Sequence, residues 1–124
     1  MGSGTTAALA GLVLLFNAQV GGPGSEGALR NPFPPEPQSL EAGQGVYVGN
    51  CLSCHGVTGK GNGPASAGLA PPPADLIVHV PLHSERELFQ IIRDGVSGTA
   101  MAPQGGDLSD EEIWHTINYI RTLE

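Results

Sequence analysis

Cys51-Leu52-Ser53-Cys54-His55 spells C-x-x-C-H, the pattern through which a c-type haem is attached. Each thiol can add to one haem vinyl group and form a thioether. The two intervening residues bring both sulfurs to one porphyrin edge. His55 follows directly and can bind the iron from beneath the ring. Two other chemistries use paired cysteines. A zinc ribbon needs a second Cys or His pair at close spacing, and this chain has only two Cys. A redox dithiol of the thioredoxin type wants a βαβ setting, and no strand pattern stands out here.

The composition agrees with a cofactor-filled core. The chain has 124 residues, with 19 Gly and 11 Pro against three Phe, two Tyr and one Trp. So much Gly and Pro implies loop, and so few large apolar side chains would leave a thin core. A buried haem supplies the missing apolar volume. Net charge is −7, from 12 acidic and 5 basic residues. Binding to nucleic acid needs a basic stripe and is thereby excluded. Lys60 is the only lysine, so docking through a ring of lysines is excluded as well. A tethered partner needs no such steering.

Outward from the motif, the chain divides into three regions. Residues 1–20 hold an apolar run from Thr5 to Val20, read as a membrane anchor. About 16 helical residues span roughly 24 Å. A cleavable signal is the competing reading, although no Lys or Arg precedes Arg30 to supply a positive n-region. Residues 21–38 read as a Gly/Pro-rich linker, flexible around Gly21-Gly22-Pro23-Gly24 and extended through Pro32-Phe33-Pro34-Pro35. Phe33 reads as a spacer residue, with a small anchor as the alternative.

Residues 39–124 read as an all-α domain. A first helix is expected from about Ser39 to Cys51. A second starts at Ser84, where Ser84 and Glu87 make a capping box. Leu88, Phe89, Ile91 and Ile92 share one face, and Gly95 ends the helix. A third starts at Ser109, with Glu112 completing a second capping box. Ile113, Ile117 and Ile120 then repeat at helical spacing.

With C-x-x-C-H near the start, a capped C-terminal helix and a Met between them, this domain resembles the class I cytochrome c family. Gly43 and Tyr47 stand eight and four residues before Cys51, as that family has them. Tyr119 matches the aromatic of the C-terminal helix that the glycine lets approach. Gly59-Lys60-Gly61-Asn62-Gly63-Pro64, Pro71-Pro72-Pro73-Ala74-Asp75-Leu76 and Gly98-Thr99-Ala100-Met101-Ala102-Pro103 look like its later loops. The family more often has Met followed directly by Pro; here Ala102 intervenes.

The resemblance implies a small cytochrome c fold, about three main helices around one haem c held by Cys51 and Cys54. It makes His55 the proximal ligand and Met101 the distal one, with the Pro64 carbonyl orienting the His55 ring. Met101 is the only Met besides residue 1, and it sits in a Gly/Pro loop rather than on a core helix face. His79 and His83 are rival ligands, and His115 is expected to be exposed. Lys60, Asn62 and Arg93 are candidate donors to the haem propionates, and Pro71 to Pro73 a stiff wall beside the ring.

The function implied is one-electron transfer without catalysis, in a carrier or a subunit of a membrane respiratory or photosynthetic complex. Its partners would be redox proteins and the membrane, with the haem domain on the periplasmic or extracytoplasmic face. The alternative is a haem c peroxidase-like or small-molecule redox enzyme with a labile distal ligand.

Overall fold

Pro37 opens the first helix, two residues before the expected start. Proline's fixed φ suits the first helical position, where its missing N–H costs nothing. The helix α1 (Pro37–Asn50) therefore takes in the last residues assigned to the linker. A single turn, α2 (Leu52–His55), carries the haem motif. A second single turn, α3 (Leu76–His79), runs into a 3₁₀ turn at Val80–Leu82. The remaining helices are α4 (Glu85–Asp94) and α5 (Asp110–Ile120). This computed structural model describes residues 29–124, and among them every regular element is helical. The N-terminal apolar run and the Gly-rich half of the linker lie outside the described residues. No described helix is long and apolar enough to cross a membrane.

Both anticipated capping boxes are present. Ser84 accepts from the Glu87 N–H and Ser109 from the Glu112 N–H, and each glutamate returns to its cap backbone. These reciprocal bonds satisfy donors that the first turn otherwise leaves unpaired.

The long helices α1 and α5 pack most extensively against each other. α1 buries a single stripe, Ser39, Gly43 and Tyr47, spaced four residues apart as one helix face requires. Gly43 lies at the crossing. A Cβ there would fall inside the His115 carbonyl and 2.9 Å from Tyr119 Cβ. Ile113, Trp114 and Ile117 of α5 join Leu88, Phe89 and Ile92 of α4 in the core. The Phe89 and Trp114 rings sit 4.3 Å apart.

The Pro-rich half of the linker is not a free spacer. Asn31 Nδ2 donates to the Trp114 carbonyl (3.1 Å) and to Asn118 Oδ1 (2.8 Å). Its backbone N–H donates to Glu85 Oε2 at 2.9 Å. Asn118 Nδ2 donates in turn to the Phe33 carbonyl (3.0 Å) and to Ser39 Oγ (2.8 Å). Phe33 anchors onto the domain itself, its ring 4.5 Å from that of His115. His115 is accordingly not exposed as expected: it is half-buried, with its Nδ1 2.6 Å from Ser39 Oγ.

Candidate functional site

The motif turn is built by its own backbone. Cys51 N–H donates to the Tyr47 carbonyl (2.8 Å), continuing the end of α1, and His55 N–H donates to the Cys51 carbonyl (2.9 Å). The loop that follows then folds back over the turn. Gly61, Gly63 and Ala65 donate their N–H groups to the carbonyls of His55, Cys54 and Ser53, at 2.8, 3.0 and 2.7 Å. The last carbonyls of this short helix, orphaned within it, thereby find partners. The placement of both cysteines and His55 is thus set by main chain on either side.

A cavity of about 370 Å³ opens beside this turn. That volume lies within the range of ~300–1,000 Å³ usual for cofactor and ligand sites. Cys51, Cys54 and His55 line it from the motif, and Met101 from the loop between α4 and α5. Pro71, Pro72 and Pro73 line it as the stiff wall the sequence suggested. Leu88, Ile91 and Ile92 line it from α4, and Thr116 and Ile120 from α5. No Asp, Glu, Lys or Arg is among the lining residues. An apolar, uncharged chamber that gathers two thiols, an imidazole and a thioether fits a covalently held haem.

His55 Nδ1 stands 3.0 Å from the Ala74 carbonyl. A carbonyl only accepts, so Nδ1 carries the proton and Nε2 keeps its lone pair for a metal. Here the structure departs from the sequence expectation. The orienting carbonyl is that of Ala74, 19 residues on, while Pro64 is exposed and does not line the cavity. The loop from Gly56 to Asp75 returns to the motif through its far end, where Leu76 N–H donates to the Gly59 carbonyl at 2.7 Å.

The Cys51 thiol is not an activated nucleophile. Burial, helped by the neighbouring Cys54, pushes the Cys51 thiol up to about 11. A redox dithiol needs the opposite shift. Tyr47, also on the cavity wall, donates its hydroxyl to the Gly56 carbonyl at 2.5 Å.

Both rival histidines line the cavity. His83 is engaged with Glu87 (3.2 Å), and its carbonyl accepts from Arg121 (3.0 Å). His79 is exposed at the end of α3. Lys60, Asn62 and Arg93 are not among the lining residues. Sequence reasoning missed Thr116, Gln104 and Val80 as part of the wall. The first two are polar residues with no motif to mark them. Val80 opens the 3₁₀ turn that follows α3, and the only local signal nearby is the Asp75 cap of α3, which accepts from Ile77 N–H at 3.0 Å.

These features are those of a c-type cytochrome domain, and comparison with known proteins agrees. The model of the family described as cytochrome c oxidase, cbb3-type, subunit III matches residues 38–120. The chain belongs to this cytochrome c family. Cytochrome c oxidase subunit 2 of Bacillus sp. (strain PS3) is 30% identical over 103 residues, covering 77% of this chain and 29% of that protein. A chain in the solved Kuenenia stuttgartiensis reducing HAO-like protein complex superposes with a TM-score of 0.62 at 26% identity. That match covers 74% of this chain and 46% of the other. The chain thus spans less than a third of the oxidase subunit and under half of the solved chain.

Proposed function

We propose that this protein passes single electrons through one haem c, bound by thioethers to Cys51 and Cys54 and ligated by His55 and Met101. The observation that carries the reading is the cavity. It gathers both thiols, His55 and Met101 in one apolar chamber without a charged lining side chain. Bound there, the haem supplies a one-electron couple, and a soft thioether ligand raises its potential. The chain's own residues do the rest. Ala74 holds the His55 tautomer. The proline wall and the aliphatic side chains of α4 exclude water, which limits reorganisation when charge changes.

The lining also bears on partners. With no charged side chain around the cavity, contact there would rest on apolar fit rather than on ion pairs. We propose a place within a membrane electron-transfer complex, with the haem domain on the extracytoplasmic face and residues 1–20 as its attachment. The oxidase relative and the apolar run both support this reading.

The test is a pair of visible spectra, reduced and oxidised, for the holoprotein and for Met101→Ala. The parent is expected to show a sharp c-type α-band and the weak far-red Met–iron band. Met101→Ala should lose the far-red band, bind carbon monoxide when reduced, and titrate at a much lower potential. An unchanged far-red band in the variant would refute Met101 as ligand.

A further inference from the structure

The loop carrying Met101 closes on itself through a ring of hydrogen bonds. Val96 N–H donates to the Met101 carbonyl at 3.0 Å. Met101 N–H donates to Thr99 Oγ1 at 3.1 Å. The Thr99 hydroxyl donates to the Val96 carbonyl at 2.7 Å. Both backbone polar groups of Met101 are therefore held, one by main chain and one by a single hydroxyl.

The ring is seated on the end of α4. Gly95 has a φ of 72°, and a Cβ there would lie 2.6 Å from the Met101 carbonyl oxygen and 2.7 Å from Pro103 N. On the far side, Gln104 and Gly105 donate their N–H groups to the carbonyls of Ile92 (3.0 Å) and Arg93 (3.1 Å). Between these two anchors the loop has little packing of its own. Gly98, Ala100 and Ala102 are exposed, and Met101 itself is only half-buried. A loop so thinly packed gains conformational entropy whenever the Met leaves its place. Thr99 opposes that through its hydroxyl.

We propose that Thr99 is a positioning residue for the distal ligand. Its hydroxyl bridges Val96 and Met101 and keeps the Met101 main chain in the one arrangement that presents the thioether to the cavity. The inference rests on the reading of Met101 as that ligand. It adds that Met101's hold on the distal position would be set by a neighbouring side chain on the cavity wall that is not itself the ligand.

The test uses the oxidised holoprotein with imidazole as a competing ligand, following loss of the far-red Met–iron band. Thr99→Val keeps the side-chain shape and removes the hydroxyl. Thr99→Ser keeps the hydroxyl. The apparent affinity for imidazole should rise about two- to tenfold in Thr99→Val, the range that one lost hydrogen bond allows. Thr99→Ser should match the parent, and both variants should keep the α-band. An unchanged imidazole affinity in Thr99→Val, with the far-red band present, would overturn the positioning role and leave Met101 as ligand. Equal gains in both variants would overturn it too, because the hydroxyl would not be the cause. Absence of the far-red band from the parent would remove the ligand and the positioning role together.

Discussion

Tyr47 shows how one side chain can serve packing and cofactor pocket together. It is 1% exposed, its ring lies 5.3 Å from that of Tyr119, and its hydroxyl reaches the Gly56 carbonyl just past the haem motif. Burial first, and the nearby Cys51 and Tyr119 second, push the phenol from 10.0 up to about 12. The folded state therefore prefers the neutral phenol more strongly than the unfolded chain does. That preference costs nothing below pH 10, where both states are protonated. Stability falls as pH rises from 10 towards 12, where the unfolded chain releases a proton that the folded one retains. A thioether at Cys51 would remove its charge and leave the larger cause, burial, in place. Tyr47→Phe should lose about 1 kcal/mol at neutral pH, since the Gly56 carbonyl keeps only the longer bond from the Gly59 N–H at 3.2 Å. Its stability should also decline less between pH 10 and 11.5. Denaturant midpoints of both holoproteins across that range decide the matter, and parallel declines would count against Tyr47 as the titrating group.

At the scale of elements, α1 is held by its partner rather than by its own propensity. Fourteen residues include Gly43, Gly45 and Gly49, each costing about 1 kcal/mol against Ala in a helix interior. Their surroundings differ sharply. A Cβ at Gly43 would collide with α5, whereas nothing lies within 4 Å of one at Gly45 or Gly49. Gly43→Ala should thus destabilise by about 1–3 kcal/mol through overpacking. Gly45→Ala and Gly49→Ala should each stabilise by up to ~1 kcal/mol. Melting curves of the three variants test this, and a stabilised Gly43→Ala would contradict the close crossing. The same contrast explains what could be read in advance. The capping boxes at Ser84 and Ser109 were legible because a cap and its glutamate lie three residues apart. The motif turn was legible for the same reason. Gly43 and Met101 became legible through their resemblance to a family, not through local pattern. The His55 partner was not, because a carbonyl 19 residues away is chosen by how a loop returns, and every residue offers a carbonyl. α3 escaped notice because one helical turn has no periodicity to detect.

On the scale of the whole molecule, residues 31–36 before α1 are tied to α5. Thr116 and Ile120 of α5 line the cavity. Trp114 and Asn118, which hold Asn31, are offset from them by two residues, about half a turn at 100° per residue. The strap from Asn31 to Glu36 therefore runs along the side of α5 turned away from the haem cavity. The tie is mostly polar. Asn31 bridges the Trp114 carbonyl, Asn118 and Glu85, and Asn118 passes the connection to Phe33 and Ser39. Asn31→Ala removes three side-chain bonds, to Trp114, Asn118 and Phe33, and leaves the carbonyl of buried Trp114 and the amide oxygen of buried Asn118 each short of a donor. The expected loss is about 1–3 kcal/mol, concentrated in the strap because the core of α4 and α5 does not pass through it. Hydrogen exchange of the holoprotein provides the reading. The amides of Asn31 and Phe33, bonded to Glu85 Oε2 and Asn31 Oδ1, should exchange faster in the variant. Those of Ile113 and Ile117 should keep their protection, since the helix they belong to is capped and buried independently of Asn31. Uniform loss of protection through α5 would mean that the strap is part of the cooperative core. Unchanged exchange at Asn31 and Phe33 would mean that the proline stiffness of residues 32 to 35, rather than the Asn31 side chain, holds the chain against the domain.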